Sequence, residues 1–270
     1  MSVPLLDYRN VTVYRGERVA LENITLSVAQ GDHIAILGPN GSGKSTLIKT
    51  FTRECYPAPA AGSWLRILGQ EAWDVTSLRS MLGIVTNDLV AACTDGMSSD
   101  FAENPRRVTG RHTVLSGFFS SIGLWAHHHV TPEMERKADE ILDRFDVTHL
   151  ADRQLDEVSS GEARRLVIGR ALVHDPAALV LDEVANSLDL GANRELQDTV
   201  RRIAQAGTTV VMVTHHLPDI IPEIDRVILL HRGRIIEDGP KARVLVPETL
   251  SALFGARVDV TRRDGYYAAW

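Results

Sequence analysis

Long apolar runs are missing from this sequence: none approaches the ~18 residues that a membrane-crossing helix needs, so the chain is expected to be soluble or peripheral to a membrane. The first residues offer no secretory core either, because Asp7 and Arg9 follow directly on Leu5 and Leu6. Cysteine is scarce. Cys55 and Cys93 are the only two, without the density of a disulfide scaffold or the paired spacing of a zinc site, and a reducing cytoplasm is the expected compartment. Charge of one sign is not in excess: 29 Lys and Arg stand against 35 Asp and Glu, a formal net of −6. No overall basic field draws the chain to a polyanion, and direct nucleic-acid contact is not expected. Internal repeats, low-complexity tracts and heptad arrays are also lacking. What remains is a chain of 270 residues, 44% hydrophobic, long enough for one domain with a sub-lobe.

Short apolar runs carry the organisation. Leu5 to Val13 and Leu21 to Val28 read as an antiparallel pair across the polar turn Arg15-Gly16-Glu17-Arg18. His33 to Leu37 is a further strand, a Gly-rich loop follows, and Ser45 to Phe51 reads as a helix. More runs lie at Trp64 to Leu68, Gly83 to Val85, Ala178 to Leu181, Thr209 to Val213 and Val227 to Leu230. The later ones alternate with helical stretches such as Asn193 to Ala204, which predicts a mostly parallel sheet flanked by helices, an α/β fold. From Asp88 to Leu172 the strand pattern stops. Within it Thr131 to Phe145 places Met134, Ala138, Ile141, Leu142 and Phe145 on one helical face, as expected of an inserted helical lobe. The predicted organisation is a single domain: core at 1–87 and 173–246, lobe at 88–172, and a tail at 247–270 with a short helix and a strand at Arg257 to Asp259.

Gly38-Pro39-Asn40-Gly41-Ser42-Gly43-Lys44-Ser45 fits the phosphate-binding pattern G-x-x-x-x-G-K-[ST] at every fixed position, between a strand and a helix. Its glycines let successive N–H groups turn inward onto phosphate oxygens, and the helix that carries Thr46 adds the positive end of its dipole. Lys44 supplies a mobile charge for the β- and γ-phosphates. The Ser45 hydroxyl is a hard oxygen suited to Mg²⁺. Ala178 to Leu181 is an apolar strand ending in Asp182 and Glu183. Two acids there could simply cap a sheet, but downstream of a phosphate loop they read as a metal-binding Asp182 and a water-polarising Glu183.

Between these motifs lie Val158-Ser159-Ser160-Gly161-Glu162 and a helix ending Arg170-Ala171-Leu172. This stretch resembles the signature of ABC ATPases, which the chain is similar to along essentially its whole length. The resemblance implies a RecA-like P-loop core with an N-terminal antiparallel β subdomain and a helical signature lobe. It also implies that ATP and Mg²⁺ are the ligands, and that Ser159, Ser160, Gly161 and Glu162 meet the γ-phosphate held by a second copy. His215, ending Val213-Thr214-His215, resembles the switch histidine, and Asp189 in Ser187-Leu188-Asp189 resembles the D-loop. Tyr14 falls where the family stacks an aromatic on adenine. Asn87 stands for the family's metal-contacting glutamine and is shorter by about 1.5 Å. Val158, Ser160 and Glu162 replace the usual Leu, Gly and Gln, and Val184 replaces a common Pro. Both acids remain in place.

The family resemblance therefore implies an ATP-hydrolysing subunit of an ABC transporter, peripheral at the inner face of the membrane, dimerising with a second ATPase subunit and driving a permease. Lobe residues Thr113 to Gly123 resemble stand-alone subunits related to molybdate and iron-complex importers. That keeps an alternative open, a soluble ABC ATPase switching a protein or nucleic-acid partner. The apolar group from Val114 to Trp125 separates the two: a permease-docking lobe should leave part of it exposed in the isolated subunit as a patch near Asn87, and a soluble switch should bury it wholly. A chain that binds without turnover is disfavoured by the presence of Glu183 and His215. His127-His128-His129 reads as a solvated loop rather than a metal site, since adjacent side chains diverge.

Overall fold

The structure, a computed structural model, describes residues 3–94 and 108–270. The lobe expectation for residues 95–107 lies outside the described residues. Among them the strands are, in chain order, β1 (Leu6–Arg15), β2 (Arg18–Val28), β3 (Ile34–Leu37), β4 (Trp64–Ile67), β5 (Leu82–Thr86), β6 (Ala178–Asp182), β7 (Thr209–Thr214), β8 (Arg226–His231), β9 (Arg234–Pro240), β10 (Val260–Arg263) and β11 (Tyr266–Ala269). The chain divides into two compact units, Met1–Leu78 with Arg201–Trp270, and Arg79–Val200. No helix among the described residues is long and apolar enough to cross a membrane.

In the first unit β1 and β2 pair antiparallel from Leu6↔Val28 to Arg15↔Arg18, so a two-residue Gly16-Glu17 turn joins them as the sequence predicts. β4 adds to the free edge of β1, with Leu6 opposite Ile67. Inward residues Leu6, Tyr8, Val11, Val13, Leu21 and Ile24 are buried, the alternation expected of a sheet with one wet face. Tyr8 meets the ring of Phe51 edge-on at 6.0 Å, and its hydroxyl is 2.8 Å from Thr50 Oγ1, which satisfies the polar tip that burial would otherwise strand. β3 runs parallel to both β7 and β8. Every residue of β3 and β7 is buried, as parallel strands covered on both faces require. β9 turns back antiparallel on β8.

The tail departs from expectation. Arg257 to Asp259 is not a strand; the strand begins at Val260 and forms a hairpin with β11, Arg263 opposite Tyr266. Asp264 and Gly265 both sit at positive φ, +53° and +82°, the backbone that a two-residue hairpin turn demands. That turn fixes the register, and Asp259 contributes the last pair of main-chain bonds, to Trp270.

In the second unit β5 and β6 are parallel, from Leu82↔Ala178 to Thr86↔Asp182. The helix Pro132–Arg144 is capped by Thr131, whose hydroxyl accepts the Met134 N–H, and it has Pro at its start. Ala138, Ile141, Leu142 and Phe145 are buried, so the predicted apolar face is the packed one. Of the group from Val114 to Trp125, Val114 and Leu115 are buried, Phe118, Phe119, Ile122 and Leu124 are half-buried, and Trp125 is exposed at 38%. His127 and His129 are exposed, while His128 stacks on Phe119 with ring centroids 4.1 Å apart.

Candidate active site

The phosphate loop lies in the first unit, between β3 and the helix Lys44–Phe51. Gly38 is required by close approach: a Cβ there would lie 2.2 Å from the Leu230 carbonyl oxygen and 2.7 Å from Ser42 Oγ. Gly43, the residue capping the helix, has φ +110° and no side chain to occupy the N-terminus, and no acidic residue stands in the first turn. The helix start is therefore electropositive and unobstructed by carboxylate. Lys44 is buried, and its Nζ donates to the carbonyls of Gly38 at 2.8 Å and Pro39 at 3.2 Å, folded over the loop it would serve. Ser42 Oγ is buried with no partner. A buried hydroxyl left without a partner costs free energy that a phosphate oxygen would recover. Ser45, Asn40 and Gly41 are exposed, Pro39 is half-buried and Thr46 is buried.

Tyr14 stands on β1, opposite Val19, with 53% of its surface exposed, free for an adenine ring to cover. His215 follows β7 and is half-buried against His216, ring centroids 3.9 Å apart. Its turn is built by Thr214, whose hydroxyl donates to Asp219 at 2.6 Å and accepts the His216 N–H at 2.9 Å.

The acids lie in the second unit. Asp182 ends β6 and is in register with Thr86, the residue before Asn87. Glu183 leaves the strand at φ +54°, a left-handed conformation that is unfavourable for a non-glycine residue and is found disproportionately at functional sites. Asn87 Nδ2 donates to the Glu183 carbonyl at 2.9 Å, and Asn186 Nδ2 donates to Glu183 Oε2 at 3.0 Å. Asn87 Oδ1 is buried without a partner. This orphaned neutral oxygen lies one residue beyond Thr86, the register partner of Asp182, and an amide oxygen with a carboxylate is the kind of hard donor pair that suits Mg²⁺.

The signature residues form a capping box. Ser159 Oγ accepts the Glu162 N–H, and Glu162 Oε2 accepts both the Ser159 N–H and its hydroxyl at 2.8 Å. Burial works against the charged form of Glu162, yet these hydrogen bonds win and hold its carboxyl below the ordinary range. Glu162 thus does for the cap what the family's glutamine could do. Ser160 is exposed on the first turn. At Gly161 a Cβ would come within 2.8 Å of Ala192 Cβ, so glycine here also admits the neighbouring helix Leu190–Gln205. Asp189 starts that helix, its Oδ1 accepting the Ala192 N–H at 2.8 Å. Two residues escaped sequence reasoning: Asn186, and Arg164, whose terminal nitrogens reach the carbonyls of Ser160 and Asn186. No short motif marks either one.

Residues 21–186 match a family model described as ABC transporter. The hemin import ATP-binding protein HmuV of Bradyrhizobium diazoefficiens is 30% identical over 269 residues, 97% of this chain and 92% of that protein. The phosphonates import ATP-binding protein PhnC of a Polaromonas species is 30% identical over 249 residues, 91% of this chain and 86% of that one. Among solved structures, MJ1267, an ATP-binding cassette of an ABC transporter in its ADP conformation, superimposes with a TM-score of 0.74 at 25% identity, covering 93% of this chain and 95% of that one.

Proposed function

The chain belongs to the ABC transporter family as an ATP-binding, ATP-hydrolysing subunit, and from that premise we propose that two copies close on two ATP molecules to drive a membrane permease for import. Its place is the cytoplasmic face of the membrane. Import is supported by the relatives above, which are named for hemin and phosphonate uptake and match nearly end to end. The observation that carries permease docking is the lobe: Phe118, Phe119, Ile122 and Leu124 are only half-buried and Trp125 is exposed, as a docking surface requires. The relatives favour no soluble switch on another partner.

Each residue has a role in this reading. The loop amides from Gly38 to Ser45 and the Lys44 ammonium hold the β- and γ-phosphates, and Tyr14 stacks on adenine. Ser45, Asp182 and Asn87 are the residues that would hold Mg²⁺, which when bound would supply Lewis-acid polarisation of the phosphate oxygens. Glu183 orients the attacking water, His215 senses the γ-phosphate, and Asp189 lies where the two copies meet. Ser159, Ser160, Gly161 and Glu162 offer a helix N-terminus to the nucleotide of the partner copy.

The experiment is affinity purification of Glu183→Gln from membranes in ATP and Mg²⁺. A stoichiometric membrane permease recovered with it supports the proposal. A dimer recovered without any permease contradicts it.

A further inference from the structure

Arg164 lies one turn into the helix Ser160–Ala171 and is only 8% exposed. A buried guanidinium normally sits beside a carboxylate, because the desolvation of its charge must be offset. Arg164 has no carboxylate partner among the described residues. One terminal nitrogen donates to the Ser160 carbonyl at 3.1 Å and the other to the Asn186 carbonyl at 2.7 Å. Asn186 in turn donates its main-chain N–H to the Glu183 carbonyl at 3.1 Å and its side-chain Nδ2 to Glu183 Oε2 at 3.0 Å. A continuous hydrogen-bonded line therefore runs from the signature turn to the carboxylate, within one unit.

Geometry says what the line does. Glu183 occupies a left-handed backbone conformation, so its side chain is aimed by whatever holds residues 183–186 in that turn. The planar fork of Arg164 spans two main-chain carbonyls on different segments, a task a lysine ammonium performs poorly. We propose that Asn186 is a positioning residue for the Glu183 carboxylate, and that Arg164 is the strut that sets Asn186 by tying it to the signature turn at Ser160. The inference rests on the reading above in which Glu183 orients the attacking water. Its consequence is that displacement of Ser160, when the signature engages the partner copy's nucleotide, is felt at Glu183.

The test is steady-state ATPase activity together with ATP binding in the full chain. Asn186→Ala should lower kcat about tenfold with KM for ATP changed less than about twofold. ATP affinity measured at equilibrium should likewise change less than about twofold, which separates a misplaced carboxylate from a loosened nucleotide site. Arg164→Lys should do the same to a smaller degree. Asn186→Ala combined with Arg164→Ala should be no slower than the slower single variant, since both act through one line. A folded Asn186→Ala with unchanged kcat overturns the proposal, as do multiplied losses in the double variant. Should Asn186→Ala not fold, Arg164→Lys decides: an unchanged kcat contradicts the proposal. Glu183→Gln separates the two levels. If it turns over normally, the reading of Glu183 itself fails; if it is dead while Asn186→Ala is normal, only the positioning inference does.

Discussion

The side-chain amide of Asn87 donates to the main-chain carbonyl of Glu183 at 2.9 Å, tying the start of the helix Asn87–Thr94 to the residue that follows β6. This orientation leaves Oδ1 as the group without a partner, and a buried acceptor in that state is a standing free-energy cost that a cation relieves. The shorter Asn thus serves two ends with one side chain, bracing Glu183 with its nitrogen and presenting an oxygen.

Asn87→Ala removes that oxygen. The Mg²⁺ concentration for half-maximal ATPase activity should rise about tenfold or more. A magnesium titration that superimposes on that of the unaltered protein would mean that Asn87 only braces Glu183.

Gly38→Ala places a methyl 2.2 Å from the Leu230 carbonyl oxygen and against the Ser42 side chain, and the Leu230 main chain cannot yield cheaply. Overpacking of this kind costs about 1–3 kcal/mol. A lowered thermal midpoint together with lost ATP binding is expected. Unchanged melting would show that the loop is less constrained than its contacts imply.

Ser159→Ala deletes the cap of the signature helix and should cost about 1 kcal/mol in urea unfolding. Glu162→Gln keeps a side chain able to close the capping box, so its loss should be within about 0.5 kcal/mol. Equal destabilisation by both substitutions would mean that the charge of Glu162, not the box, stabilises the turn.

His33 accepts the Val210 N–H through Nδ1 at 3.1 Å, and burial pushes its pKa below the ordinary imidazole value against the pull of Asp225, Glu223 and Asp32. The folded state therefore disfavours the protonated form of His33 relative to the unfolded chain. As pH falls below about 6.5 the unfolded chain takes up the proton first, so stability drops through that window and levels off below the folded pKa. His33→Asn retains an acceptor but cannot titrate, and its urea midpoint should fall less between pH 7 and 5 than that of the unaltered protein. Identical pH slopes would contradict the assignment.

Much of this was legible before any coordinates. The phosphate loop reads directly because its chemistry is encoded in consecutive residues, and the buried strands read because parallel pairing leaves them apolar throughout. β9 was hidden by its polarity: Arg234–Pro240 is an edge strand with no buried residue, placed by the positive-φ turn Arg232-Gly233 rather than by a run of apolar side chains. The tail strand falls at Val260–Arg263 rather than at Arg257 to Asp259 because the Asp264-Gly265 turn sets the hairpin register and outweighs the weak pattern before it. Arg164 and Asn186 were invisible for a different reason. The partners of Arg164 are main-chain carbonyls brought close by packing, and Asn186 reaches the Glu183 carboxylate only through the left-handed turn between them, which no motif records.

The most direct test of the account is ATP turnover and binding by Glu183→Gln measured side by side. Turnover should collapse by at least about a hundredfold while ATP binds undiminished and the chain is held as a dimer in ATP. Hydrolysis at the rate of the unaltered protein would contradict the central claim that Glu183 prepares the water that attacks the γ-phosphate.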